Sequence, residues 1–155
     1  MLAANTVLQN RYRIVRQLGQ GGMGTVYEAV DQRLSSVVAL KETLVTTEEG
    51  RQAFQREASL LANLRHACLP RVIDHFSEAA GQYLVMEFIS GDDLAHLLEL
   101  RGHAFPVDDV LQWSDELLKA LEYLHGHNPP ILHRDIKPSN LKLTTTRATF
   151  AARMP

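Results

Sequence analysis

The spacing of hydrophobic residues changes along this chain, and those changes limit what it can fold into. From Arg11 to about Val45, apolar and β-branched residues gather in three short runs, RYRIVRQLG, TVYEAV and SSVVALKETLV. That is the composition of strands on a half-buried sheet. Over 46–66 the period becomes helical, with Phe54, Ala58, Leu61 and Leu64 on one stripe. Thr46 and Glu49 stand at capping-box spacing before it. VIDHF and AAGQYLVMEFI then read as a hairpin over 72–89 around a glycine turn. After Gly91 the period is helical again. DDLAHLLELRG places Asp92 and Asp93 where a helix starts and Gly102 where it ends. PVDDVLQWSDELLKALEYLH predicts a long helix over 106–125, with Val110, Leu111, Leu117, Leu118, Leu121 and Leu124 on a broad apolar face. Asn128-Pro129-Pro130 ends it. Five strands with one helix among them, followed by helices, predict an α+β chain: an antiparallel sheet region, a hinge near Ile89–Gly91, and a helical region.

Composition narrows the function classes. The 155 residues carry a net charge of -2, which lacks the basic footprint of a nucleic-acid binder. A single cysteine, Cys68, rules out an internal disulfide framework and fits a reducing compartment. The N-terminus has no apolar run suited to a signal peptide. No stretch reaches the 18 or so apolar residues of a membrane span. The expectation is a cytoplasmic chain with no membrane segment and no nucleic-acid partner.

Three groups of residues carry chemistry. Gly19-Gln20-Gly21-Gly22-Met23-Gly24 lies between two strands. A dinucleotide fold needs a helix after such glycines, and no Gly-Lys-Ser/Thr ending is present, so both common helix-start phosphate loops are excluded. A glycine flap between strands remains, able to bring backbone N–H groups against phosphates; a plain hairpin turn is the ordinary alternative. Lys41 ends the apolar strand Val38-Ala39-Leu40. Glu57 lies three residues after Phe54 and four before Leu61, which puts it on the apolar stripe of its helix, facing inward and in need of a cation. Lys41 is the natural partner. The alternative sets Glu57 on the rim of the stripe, in water. Finally, His133-Arg134-Asp135-Ile136-Lys137-Pro138-Ser139-Asn140 packs a carboxylate, an ammonium and an amide into one loop. Phosphoryl transfer to a hydroxyl needs a proton acceptor, a cation near the phosphoryl group and an oxygen ligand for Mg²⁺. Asp135, Lys137 and Asn140 can supply these in order.

As a set, Gly19–Val26, Val38–Lys41, Glu57, Val85–Phe88 and His133–Asn140 resemble a Hanks-type, eukaryotic-like bacterial serine/threonine protein kinase. The resemblance implies a five-stranded N-lobe with one helix over 11–89 and the first helices of a helical C-lobe over 90–143. It implies ATP and Mg²⁺ as cofactors, and a protein hydroxyl as acceptor. Leu18, Gly19, Gly21, Gly24 and Val26 would cover the nucleotide, and Ala39 would line it. Lys41 would bind the α- and β-phosphates and pair with Glu57. Met86 would be the gatekeeper, and the backbone of Glu87 and Ile89 would hold adenine. Asp135 would be the base, Lys137 would touch the γ-phosphate, and Asn140 would ligate Mg²⁺. Lys137-Pro138 resembles the serine/threonine subgroup.

The family pattern stops near Leu143. The stretch 144–155 contains no Asp or Glu and so cannot replace the Mg²⁺-ligating Asp that the family carries after its catalytic loop. The expectation is a kinase domain cut short, with the rest of the C-lobe missing, a non-family tail over 144–155, and transfer lowered by orders of magnitude. The alternative is a non-catalytic, nucleotide-binding pseudokinase or regulatory fragment.

Overall fold

The computed structural model describes residues 1–21, 24–45, 47–79, 81–144 and 147–150. Two compact units emerge: Met1–Leu64 with Arg71–Phe88, and Arg65–Pro70 with Ile89–Pro155.

The first unit is an antiparallel sheet with one helix. In chain order its elements are β1 (Val7–Leu8), β2 (Tyr12–Gly21), β3 (Gly24–Asp31), β4 (Ser36–Leu44), α1 (Glu48–Ala62), β5 (Val72–Glu78) and β6 (Gly81–Glu87). Across the sheet the strands run β1-β2-β3-β4-β6-β5. Among the described residues this sheet has six strands where five were expected. The extra one, β1, has only two residues, too few to show a period. It exists because Asn5, Gln9 and Asn10 take left-handed turns that lay Leu8 into the core.

The sheet curls. β2 and β5 are separated by three strands, yet Tyr12 Oη donates to Asp74 Oδ2 at 2.8 Å. Beside it, the Gln9 N–H donates to Glu78 Oε2 at 2.8 Å. Inside the curl lies an apolar cluster of Leu8, Tyr12, Ile14, Tyr27, Ala29, Val38, Leu40, Tyr83 and Val85. The Phe76 ring, stacked between Tyr12 at 5.6 Å and Tyr83 at 5.0 Å, closes it. Successive strand side chains point to opposite faces, so Val38 and Leu40 fill the concave side while Ala39 and Lys41 face away from it. The N-cap of α1 is Thr47, whose hydroxyl accepts from the Gly50 N–H. Thr46, expected to cap it, lies outside the described residues.

The second unit contains α2 (Leu94–Arg101), α3 (Val107–His125), a 3₁₀ turn at Pro138–Asn140, and a hairpin of β7 (Leu141–Thr144) and β8 (Arg147–Phe150). The expected break at Leu143 falls inside β7. Residues 65–70 belong to this unit, although the sequence read as one contiguous sheet region to Ile89. Tyr123 of α3 holds them: its hydroxyl accepts the Arg65 N–H at 3.0 Å, and its ring stacks on His66 at 5.4 Å. Asp93 caps α2 by accepting the His96 N–H at 3.0 Å, and Gly102 ends it in the left-handed region. Removing the cap by Asp93→Ala is expected to cost about 1 kcal/mol, read as a small drop in thermal midpoint. On α3 only Ala120 and Leu124 are buried. Leu117 and Leu121 are half-buried, while Val110, Leu111 and Leu118 are exposed. Among the described residues no helix is long and apolar enough to cross a membrane.

Candidate active site

Register assembles the first group of site residues. Val26 on β3 pairs with Lys41 on β4, which pairs with Leu84 on β6. Two residues along, Glu28 pairs with Ala39, and Ala39 with Met86. Val26, Ala39, Lys41 and Met86 therefore share the sheet face opposite the apolar core. All four are buried or nearly so, and Lys41 keeps 9% exposure. An ammonium on a mostly apolar floor is a strong anchor for an anion, because little water competes for it.

The glycine segment is a hairpin, as the strand–glycine–strand pattern required. Gly19 pairs with Val26, and Gly21 with Gly24; Gly22 and Met23 lie outside the described residues. Leu18 sits at a register shift of β2, at the margin of exposure. Gly24 has φ +116°, and a Cβ there would collide with the Glu42 carbonyl. Only glycine meets both conditions. At the sheet's far end, the Glu87 N–H donates to the Arg71 carbonyl at 2.8 Å. Ile89 opens the second unit and is half-buried.

Glu57 departs from the inward orientation expected of it. Ala58 and Leu61 are buried and Phe54 is half-buried, but Glu57 is exposed. Residues on a helix are 100° apart, so when Ala58 takes the innermost position its neighbour turns to the rim.

The second group lies in one loop of the helical unit. The Asp135 N–H donates to the His133 carbonyl at 2.8 Å across Arg134, which is held at φ +59°. This tight turn projects the Asp135 carboxylate. Lys137 Nζ lies 2.8 Å from Asp135 Oδ1. Asn140 Nδ2 donates to Asp135 Oδ2 at 2.7 Å and to the Asp135 carbonyl at 2.8 Å. Pro138 opens the 3₁₀ turn that brings Asn140 back to Asp135. Asn140 is fully buried, and its Oδ1 has no hydrogen-bond partner among the described residues. A buried amide oxygen without a donor is costly, and a hard cation beside a carboxylate fits it.

Sequence reasoning missed two supports. Lys142 Nζ donates to the Gly91 carbonyl at 2.6 Å, and Gly91 packs against the Leu143 carbonyl; this braces the strand leaving the Asp135 loop against the start of the unit. Glu42 is the other. It continues the alternation of Val38 and Leu40, a period-2 signal that marks it as a buried carboxylate.

The sheet unit thus carries a glycine hairpin and a buried lysine, and the helical unit carries a loop joining carboxylate, ammonium and amide. The protein kinase domain model matches residues 12–150, and the chain belongs to that family. It is 35% identical over 142 residues to a probable serine/threonine-protein kinase of Clostridium acetobutylicum, covering 90% of this chain and 21% of that protein. A single-site mutant of the Mycobacterium tuberculosis PknI kinase domain superposes with a TM-score of 0.81 at 31% identity, over 99% of this chain and 63% of that one. Rad53 in complex with AMP-PNP superposes with a TM-score of 0.80 at 26% identity, over 92% of this chain and 38% of that one. The chain spans about a fifth of the length of the first curated relatives it matches.

Proposed function

We propose that the chain binds ATP with Mg²⁺ and serves transfer of the γ-phosphoryl group to a serine or threonine hydroxyl of a protein. The observation that carries this reading is the Asp135–Lys137–Asn140 cluster with its donorless, buried Asn140 Oδ1. Family membership supports the reading, as does the AMP-PNP held by the similar Rad53.

In this reading Gly19, Gly21 and Gly24 bring backbone N–H groups over the phosphates, and Leu18 and Val26 close over the base. Ala39 and Met86 form the apolar wall, and the Glu87 carbonyl and the Ile89 backbone hold the adenine edge. Lys41 takes the α- and β-phosphates, with Glu57 on the rim of α1 as its carboxylate partner. Asp135 accepts the proton of the attacking hydroxyl as its oxygen bonds to the γ-phosphorus and the bond from that phosphorus to the β,γ-bridging oxygen breaks, releasing ADP. Lys137, already on Asp135 Oδ1, offers its charge to the transferring group. Asn140 Oδ1 would hold Mg²⁺, which supplies neutralisation of the triphosphate charge when bound.

A second reading is nucleotide binding without transfer: the glycine hairpin, Lys41 and Met86, which would hold the nucleotide, all belong to the sheet unit, apart from the Asp135 loop. Two measurements separate these readings. Saturating Mg-ATP at about 100 times its dissociation constant should stabilise the chain by about 2.7 kcal/mol, and Lys41→Met should remove the shift. Phosphorylation of a generic protein substrate then distinguishes transfer from binding alone. No thermal shift in the parent chain would sink both readings.

A further inference from the structure

Glu42 follows the nucleotide lysine and points the other way. Its carboxylate lies inside the curled sheet at 8% exposure. Oε2 accepts from Tyr27 Oη at 2.9 Å, and Oε1 accepts from Tyr83 Oη at 3.1 Å. Tyr27 stands on β3 and Tyr83 on β6, the two strands flanking β4. Burial, more than any other cause, pushes both phenols above their ordinary range, so both remain O–H donors. Tyr27 Oη in turn accepts the Leu2 N–H at 3.0 Å.

The three side chains tie three strands together directly behind the row that carries Lys41. Tyr27 follows Val26, Glu42 follows Lys41, and Tyr83 precedes Leu84, and Val26, Lys41 and Leu84 pair across the sheet. The backbone of Glu42 has a second task. Its carbonyl is the atom against which Gly24 packs too closely for any Cβ. One residue thus touches the closing glycine of the flap, holds both flanking strands, and sits next to the lysine. A carboxylate suits this place. Each of its oxygens accepts from one tyrosine, whereas an amide has one acceptor oxygen and would aim its NH₂ at the other hydroxyl.

We propose that Glu42 is a positioning residue for nucleotide binding: clasped by Tyr27 and Tyr83, it fixes the offset between Lys41 and the glycine hairpin. This rests on the reading that Lys41 binds nucleotide phosphates. If so, loosening the clasp weakens ligands that carry phosphates and spares adenosine, which lacks them. The test is to titrate parent, Glu42→Gln and Tyr83→Phe chains with Mg-ATP and with adenosine. Glu42→Gln should weaken ATP by about three- to tenfold, the size of coupling carried by residues that touch neither ligand, with adenosine affinity unchanged. Tyr83→Phe keeps its ring in the core and removes one donor; it should show the same selectivity and carries the test if Glu42→Gln does not fold. Unchanged ATP affinity in the variants overturns the proposal, and so does equal weakening of ATP and adenosine, the mark of general structural damage. A parent chain that binds no ATP overturns the reading of Lys41 itself, and this inference with it.

Discussion

Under the proposed function, replacing Asp135 with asparagine is expected to lower phosphotransfer to a protein hydroxyl by about 10²–10⁴-fold, the usual contribution of a positioned general base. The geometry gives the substitution little else to disturb. Asparagine matches aspartate in shape, and the Asp135 carbonyl that receives Asn140 Nδ2 at 2.8 Å belongs to the backbone. What changes is charge. Oδ1 holds the Lys137 ammonium at 2.8 Å and Oδ2 holds Asn140 Nδ2 at 2.7 Å. An amide cannot accept from both, so one of its neighbours meets an N–H in place of an oxygen. The loss should fall on kcat, with ATP affinity nearly unchanged, because Lys41, the proposed phosphate anchor, stands on β4 in the other unit. Steady-state kinetics with a peptide substrate check this, alongside a thermal melt to confirm folding. Equal kcat in parent and variant would remove Asp135 from the chemistry.

The Asp135–Lys137–Asn140 cluster was legible because its contacts are local. Asp135, Lys137 and Asn140 lie within six positions, and a proline-opened turn suffices to fold them together. The strands and helices of the two regions were legible for a similar reason: period is a property of neighbouring side chains. Longer-range features were not. β1 is two residues long, so no period could announce it. Glu57 was read as inward-facing from its spacing to Phe54 and Leu61, but its neighbour Ala58 competes for the same stripe and takes it. A 100° step decides such cases, and spacing alone does not resolve it. The hairpin through Phe150 was missed because Leu141–Thr144 and Arg147–Phe150 are only four residues each, too short for a clear period. The Glu42 clasp joins partners 15 and 41 positions away, and its one visible trace was a carboxylate falling in step with Val38 and Leu40.

The stability of the sheet unit should depend most on another such long-range set. Asp31 is fully buried, and Arg11 meets it side-on: Nε lies 3.1 and 3.0 Å from its two oxygens, and Nη2 lies 2.7 Å from Oδ2. Nη1 reaches on to Asp74 at 3.1 Å, so one guanidinium links β3 to the distant β5. Arg11→Ala would leave the Asp31 charge in the interior with only the Arg33 and Leu34 N–H groups, at 2.9 and 3.3 Å. Breaking a buried pair on one side costs about 3–5 kcal/mol, and those two remaining donors place the expected loss near 3. The pH profile gives an independent reading. The hydrogen bond from Arg11, the largest cause, holds the Asp31 carboxyl below its ordinary value. A carboxyl depressed by folding contributes stability above its unfolded pKa of about 3.9, and that stability is lost as pH falls through the lower, folded value. Arg11 stays charged throughout, because the same hydrogen bond raises its pKa. Denaturant melts from pH 7 to pH 2 should therefore show the parent losing stability below about pH 4. The Arg11→Ala chain should start lower and fall less steeply, since the group that tied folding to that ionisation is gone. Parallel acid limbs in the two chains would mean that Asp31 is held by its backbone donors and that the arginine is dispensable.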